Sequence, residues 1–392
     1  MSSVIVSGAR TPIGKLSGTL SQFTAMDLGG FAIKQALINA GISPEEVDYV
    51  FMGHVIQAGQ GQITARQAAF KGGIPMSIPS TTVNKVCLSG LNSIYLASKL
   101  IEAGDAEIVI AGGMESMTKA PYILRDARSG YRAGDGTLVD SMMYDGLFCA
   151  FDQVAMGLGT ERYAKASSIP RQRQDEIAAL SHERAAEAIK SNKFKDEIVA
   201  VQVPQRKGDP TIVDTDEGVR PGTTVDSLSA LKPAFEKEGT ITAGNASQIS
   251  DGGAAVVVMS KELAQSRGLD ILCEIVGYGQ VAGPDPSLLN QPSNAIKKAL
   301  SKSGISQNEV KLYEINEAFA AVAAASMDDL GVNEEVVNVN GGAIALGHPV
   351  GMSGTRLAIT LSYELKRRSG GIGAAALCGG GGQGDALLIK VS

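Results

Sequence analysis

The chain has 392 residues, 44% of them hydrophobic and 19% charged, with a formal net charge of −6. That length is enough for two or three domains that each bury a full core, and the balance is ordinary for a soluble globular enzyme. The acidic excess argues against a nucleic-acid partner, no 18-residue apolar stretch exists to span a membrane, and the four widely spaced Cys form neither a disulfide framework nor a zinc pattern.

The first element is a strand-like run, Val4-Ile5-Val6, directly after Ser3, which leaves no room for a signal or transit peptide. The C-terminal Ile389 to Ser392 is not a peroxisomal address. A reducing cytoplasm is the expected location, where free thiols stay available for chemistry.

Ala36 to Val47 reads as the end of a helix, stopped by Gly41, then a capped turn leading to a strand. The same segment recurs as Ala299 to Val310, with seven of twelve positions identical at a constant offset of 263. Identity in register predicts a duplicated domain. The pattern continues in both copies. Thr81 to Val83 reads as a strand followed by a helix from Leu88 to Leu100; Val336 to Val339 reads as a strand followed by a helix from about Thr355 to Arg367. Buried strands follow at Ile108 to Ala111 and Ala374 to Leu377. The alternation predicts two α/β units, each a sheet covered by helices.

Between the halves the chain is less regular, with one helical pattern at Ala178 to Ile189 and loops rich in Gly, Asp and Arg. Such an insertion is too long for an idle loop and reads as a lid or binding subdomain. Asp251 to Met259 returns to a core strand and closes the first half. The expected division is an N-terminal core of residues 1–117 and 250–270, an inserted loop domain of 118–249, and a C-terminal core of 271–392.

Three glycine-rich settings carry the chemistry. Cys87 falls where a strand ends and a helix begins, near unsatisfied N–H groups and the positive end of the helix dipole, which predicts a lowered thiol pKa. His348 sits between Gly347 and Pro349, where glycines permit close approach and the proline stiffens its position. Cys378 ends an apolar strand and opens the run Gly379 to Gly382, whose N–H groups can converge on a negatively charged oxygen. A thiol nucleophile needs a base, and carbon–carbon chemistry beside a thioester needs a second acid/base group. Of the other histidines, His182 in Ser181-His182-Glu183-Arg184 reads as lying on a solvated face, and His54 as a supporting group. Asn316 lies past the second-half repeat strand, on the expected functional edge.

Val86-Cys87-Leu88-Ser89-Gly90, Asn316-Glu317-Ala318-Phe319, Asn340 to Pro349 and Cys378-Gly379-Gly380-Gly381, in that order, together with Gly8 to Pro12, resemble the signature blocks of the thiolase family over essentially the whole chain. Leu88 and the Asn245-Ala246-Ser247 block resemble its biosynthetic, acetoacetyl-CoA branch. The resemblance implies an α/β fold of two duplicated core domains in five layers, α-β-α-β-α, with a loop domain over the site. It implies acetyl-CoA C-acetyltransferase activity, the reversible Claisen condensation of two acetyl-CoA to acetoacetyl-CoA and coenzyme A. No cofactor is expected, the CoA thioesters being substrates.

By the same resemblance, Cys87 is the acyl-accepting nucleophile, His348 its base and Cys378 the acid/base at the α-carbon. The N–H groups of Cys87 and Gly380 form one oxyanion site, and His348 with a water on Asn316 forms another. Coenzyme A is assigned to Arg220 and Ser227 near the nucleotide, Phe235 and Ala243 along the channel, Ser247 on pantetheine, and Met156, Ala318 and Phe319 near the acyl end. Assembly as a homotetramer, a dimer of dimers, is implied, with Arg125 to Val139 as the tetramer-forming segment. Three positions depart from the family pattern: Ala155 where a His is frequent, Gly379 where Ile or Val is usual, and Gln383 where Met is usual. They bear on acyl-chain length, so a degradative 3-ketoacyl-CoA thiolase of broader range is the alternative. A decarboxylating ketosynthase would lack the second Cys, and a scaffold that merely binds acyl-CoA would not need Cys87.

Overall fold

A computed structural model describes residues 2–392 of the chain. The N-terminal half supplies strands β1 (Ser3–Arg10), β2 (Tyr49–Gly53), β3 (Ser80–Val83), β4 (Ile108–Ser116) and β5 (Ser250–Ser260). The C-terminal half supplies β6 (Cys273–Ala282), β7 (Val310–Ile315), β8 (Gly371–Gly379) and β9 (Gln383–Val391). Their hydrogen-bonded order is β7-β8-β9-β6-β1-β5-β4-β2-β3, with the short strand Gly14–Lys15 added on β5. Among the described residues the strands of the two halves pair through Val4↔Glu274 and Ile5↔Cys273 of β1 and β6. On either side of that seam the strand orders, β1-β5-β4-β2 and β6-β9-β8-β7, are the same.

The repeat is visible in the connections. Helix α1 (Ala25–Ala40) stops at Gly41 with φ 66°, and its counterpart stops at Gly304 with φ 68°, the left-handed cap that glycine takes without a Cβ penalty. In the turns that follow, Glu46 accepts from the Ser43 N–H at 2.9 Å and Glu309 from the Ser306 N–H at 2.8 Å. Helix α2 (Thr64–Lys71) joins α1 on one outer face.

Strand periodicity separates the layers. Val109, Ala111, Val256 and Val258 turn inward to a central core, while Ile108, Ile110, Val257 and Met259 face α1 and α2. In the other half Leu387 and Ile389 turn inward, while Ala386 and Leu388 face α6 (Gln291–Ser303) and α7 (Ala320–Leu330). Side chains that alternate across a strand can fill two cores only if helices cover both faces, which is why β1, β4 and β5 are buried end to end. The central core is filled by α3 (Ser89–Ala103) and α8 (Ser353–Arg367), through Leu91, Ile94, Leu357 and Leu361. The result is five layers, α-β-α-β-α.

One expected strand is not formed. Val336 to Val339 makes a single bridge, Tyr313↔Val337, because Asn338 turns at φ 47° and its amide does the pairing instead. It accepts from the Ile315 N–H at 2.9 Å and donates to the Ile315 carbonyl at 2.8 Å, replacing the ladder bonds of a fifth strand.

The segment between β4 and β5 carries α4 (Met156–Ala166), α5 (Arg171–Lys190) and three short two-stranded ribbons. Helix α5 starts well before the expected Ala178. The whole segment is tied to the core by Arg10, fully buried at the end of β1. Its guanidinium donates to Glu197 at 2.7 Å and to both oxygens of Asp216, at 2.7 and 2.9 Å. Burial lowers the Arg10 pKa, but the two carboxylates outweigh it and drive the value above that of a free arginine. Replacing Arg10 by Met leaves two buried carboxylates without their cation. We expect a loss of about 3–5 kcal/mol, read as a lowered urea midpoint.

Candidate active site

The strand β3 reaches α3 through a tight turn held by side chains. Val86 sits at φ 51°, a left-handed conformation that costs a β-branched residue roughly 1–3 kcal/mol. Asn84 accepts from the Val86 N–H at 3.1 Å, and Ser89 Oγ donates to the Val86 carbonyl at 2.6 Å. Lys85 crosses to the other half, with Nζ 2.7 and 3.0 Å from the Asp385 oxygens on β9. This strained, braced turn presents Cys87 just before the first turn of α3.

His348 occupies the matching place before α8. Its N–H donates to the Gln248 carbonyl at 3.1 Å. Ser353 Oγ donates its one proton to the Pro349 carbonyl at 3.0 Å, so at 2.5 Å it accepts from His348 Nδ1–H. That leaves Nε2 as the lone-pair nitrogen, and Asn316 Nδ2 stands 3.4 Å from it. Cys378 and Asn316 come from neighbouring parallel strands: Cys378 at the end of β8, Asn316 just past β7, its N–H donating to the Ala376 carbonyl at 2.9 Å. Asn316 Oδ1 is buried and has no hydrogen-bond partner among the described residues.

Gly379 and Gly380 lie against Leu88 and Val86, on either side of half-buried Cys87, and the Cys87 and Gly380 N–H groups favour its thiolate. Cys378 is near enough that charge on Cys87 raises its pKa. The thiols and Asn316 therefore gather at one edge of the joined sheets. Val350, two residues past His348, packs in the apolar cluster that Cys87 touches, with Met117, Leu147 and Ile249.

The expected lowering of the Cys87 pKa is not found. Burial pushes the thiol up to about 12, its own N–H opposes this, the Glu115 carboxylate adds to it, and the Gly380 N–H opposes it again. The helix N-terminus cannot offset removal of the sulfur from water. Burial, with Arg356 nearby, holds His348 down to about 3, and burial raises Cys378. At rest every reactive group is neutral.

A cleft of about 510 Å³ opens onto His348. It is lined by six of the positions assigned to coenzyme A, namely Met156, Arg220, Phe235, Ala243, Ser247 and Phe319, and by Ala155. The Phe235 and Phe319 rings meet edge-to-face at 6.3 Å. Two assigned positions are not on its wall. Ser227 is exposed, in the first turn of the short helix Val225–Ser229, and Ala318 is buried, its carbonyl accepting from the Ser247 N–H at 3.1 Å.

His182 is not on a solvated face. It is buried, and its Nδ1 accepts from the Arg220 N–H at 3.1 Å. Burial, with the Arg220 charge, holds it down to about 4, neutral and able to accept. It faces inward because α5 packs against the short helix Ala343–Leu346 rather than lying free.

Glu115 is a site residue that sequence reasoning missed. Its buried carboxylate accepts from the N–H groups of Val55 at 3.0 Å, Ile56 at 3.2 Å and Gly351 at 3.0 Å. His54 Nε2 stands 3.2 Å from it. Nothing in Gly112-Gly113-Met114-Glu115 signals that role, which exists only because loops from both halves meet there. Ser353, five residues after His348, carried a findable signal as a hydroxyl at a helix start.

The family profile described as "Thiolase, N-terminal domain" matches residues 3–262, and "Thiolase, C-terminal domain" matches residues 269–391. The chain belongs to the thiolase family. This thiolase is 55% identical to the "Probable acetyl-CoA acetyltransferase" of Mycobacterium tuberculosis, over 99% of both chains. It is 51% identical to the "Acetyl-CoA acetyltransferase" of Cupriavidus necator, over 99% of this chain and 98% of that one. With the protein of the same name from Pseudomonas aeruginosa it shares 48% over 98% of each.

Gly379, one of the three departures, has a steric explanation in this thiolase. A Cβ there would lie 2.6 Å from Leu88 Cγ. We expect Gly379→Val alone to cost about 1–3 kcal/mol of stability by overpacking, and Leu88→Ala in the same chain to recover part of it, measured by urea unfolding. His348 titrates from 6.5 in the open chain to about 3 in the fold, so within that window the unfolded chain binds a proton that the folded protein does not. Acidification then lowers stability, by about 2 kcal/mol per such group between pH 6.5 and 5. His348→Asn should flatten the stability–pH profile over that range.

Proposed function

We propose that the chain is an acetyl-CoA C-acetyltransferase that condenses two acetyl-CoA to acetoacetyl-CoA and coenzyme A, reversibly and without a cofactor. The observation that carries this reading is the meeting of two thiols, half-buried Cys87 and buried Cys378, where Gly379 and Gly380 lie against Leu88 and Val86 on either side of Cys87. One thiol suffices for acyl transfer to water or an amine; a second acid/base group is what α-proton removal asks for when condensation proceeds without loss of CO2. The names of the relatives support the same reaction.

Both thiols are neutral at rest, so proton movement accompanies each step. The Cys87 proton passes to His348 Nε2 as sulfur bonds to the acetyl carbonyl carbon. The bond to CoA sulfur breaks, and CoA leaves with that proton. Cys378 then gives its own proton to His348 and takes the α-proton of the second acetyl-CoA. The carbanion attacks the acetyl-Cys87 carbonyl, Cys87 departs, and His348 returns a proton to it. Negative charge on the acyl oxygen falls to the N–H groups of Cys87 and Gly380, and that on the enolate oxygen to His348 and a water on Asn316, whose buried Oδ1 lacks a partner.

Coenzyme A occupies the cleft, with pantetheine between the Phe235 and Phe319 walls and the acyl end beside Met156. A reducing cytoplasm suits four free cysteines. A homotetramer is supported by the arm between Tyr122–Ile123 and Val139–Asp140, which leaves Leu124, Tyr131 and Leu138 exposed. The alternative, a wider chain-length range, is supported by Ala155 and by Met143 and Leu147 beside it in the cleft. Equal kcat/KM on acetoacetyl-CoA and 3-ketohexanoyl-CoA would favour it.

The decisive measurement is intact mass after incubation with acetyl-CoA. The wild type should gain one acetyl group, located on Cys87, and Cys87→Ser none. Cys378→Ser should still acylate but lose about 10²–10⁴ of its condensation rate. Full condensation by that variant would remove Cys378 from the mechanism.

A further inference from the structure

The N-terminal core contributes to the wall of the cleft beside the inserted segment. Lys15 and Leu16 line it, beside Gln248 and Ile249. Among its lining residues Lys15, Arg220 and His348 are the only ones that can bear positive charge, and none is Asp or Glu. His348 is neutral, which leaves Lys15 and Arg220 as the cations of an otherwise apolar cleft.

Lys15 is held by its backbone, not by its ammonium. Its N–H donates to Glu217 Oε2 at 2.9 Å, and the residue pairs with Ser250 of β5. Glu217 is otherwise engaged by the Thr19 N–H and hydroxyl, both at 3.0 Å. Among the described residues no carboxylate lies within 4.0 Å of Lys15 Nζ, whereas Lys71, Lys85, Lys261 and Lys297 each have one. Glu217 lies three residues before Arg220 in the chain, so one loop serves both cations. Glu217 feels the Lys15 charge through space but forms no ion pair with it, so a half-buried ammonium, fixed at its root and lining an apolar channel, is suited to an anionic ligand whose body is apolar.

We propose that Lys15 is a second cationic anchor, with Arg220, for the phosphate groups of the coenzyme A thioester. The inference rests on the reading that the thioester occupies this cleft. Lys15 acts on the phosphates by charge, so its effect belongs to binding and is lost with a ligand that has no phosphate.

The test is calorimetric titration of the full-length protein with coenzyme A and with pantetheine. Lys15→Gln should weaken coenzyme A about five- to tenfold and reduce the dependence of its affinity on salt, leaving pantetheine within about twofold. Lys15→Arg should bind coenzyme A close to wild type. The proposal is overturned if Lys15→Gln binds coenzyme A as the wild type does. It is also overturned if both ligands weaken equally, since that would be a structural effect. Binding is measured without turnover. If Lys15-dependent coenzyme A binding occurred in a protein that makes no acetyl-enzyme, it would refute the reaction and keep the anchor.

Discussion

The contact on which the site depends is between α3 and α8 in the middle layer. A Cβ on Gly354 would lie 2.4 Å from the Leu91 nitrogen, and one on Gly90 2.7 Å from Thr355 Oγ1 and 2.8 Å from the Gly351 carbonyl. The helices therefore touch backbone to backbone at their first turns. Cys87 precedes one and His348 the other, so the distance between nucleophile and base is set by how closely two helix starts can approach. Any side chain at those glycines would push the halves apart and separate the reacting groups. Glu115 reinforces this geometry by accepting N–H bonds from loops of both halves, and Lys85 with Asp385 does so from the strand side.

Burial produces a site whose groups are uncharged until substrate arrives. The surroundings of half-buried Cys87 and of buried His348 disfavour the charged form of each, which raises the thiol and lowers the imidazole. Proton transfer between them creates both charges together, next to N–H donors already in place. Such a site stores no free thiolate to be oxidised or alkylated and relies on preorganised donors when charge develops. The Ser353 contact contributes by fixing the tautomer, so that the lone pair of His348 faces the reacting groups.

The inserted segment solves a different problem. It is tied to the core by Arg10, an ion pair network without access to water, and it supplies most of the channel wall. His182 couples the two functions: a neutral, buried imidazole holds the backbone at Arg220, whose side chain stays exposed at the cleft. A solvated histidine at that place would leave the loop free.

Residues near one another in the chain determined a good deal alone. The 263-residue offset, the glycine helix stops, the alternation of strands and helices, and the settings of Cys87, His348 and Cys378 all follow from local pattern, since caps and periodicity act over a few residues. Folding decided the rest. Val336 to Val339 has strand composition, yet the Asn338 amide took its hydrogen bonds. His182 lies in a charged run, yet helix packing buried it. The pKa of Cys87 followed from the surroundings of its sulfur, supplied by both halves, rather than from its place at a helix start. Lys15 and Glu115 carry no local mark, because their roles exist only where distant segments meet. Solvation and charge are properties of the assembled neighbourhood, and neither can be summed from residues adjacent in the chain.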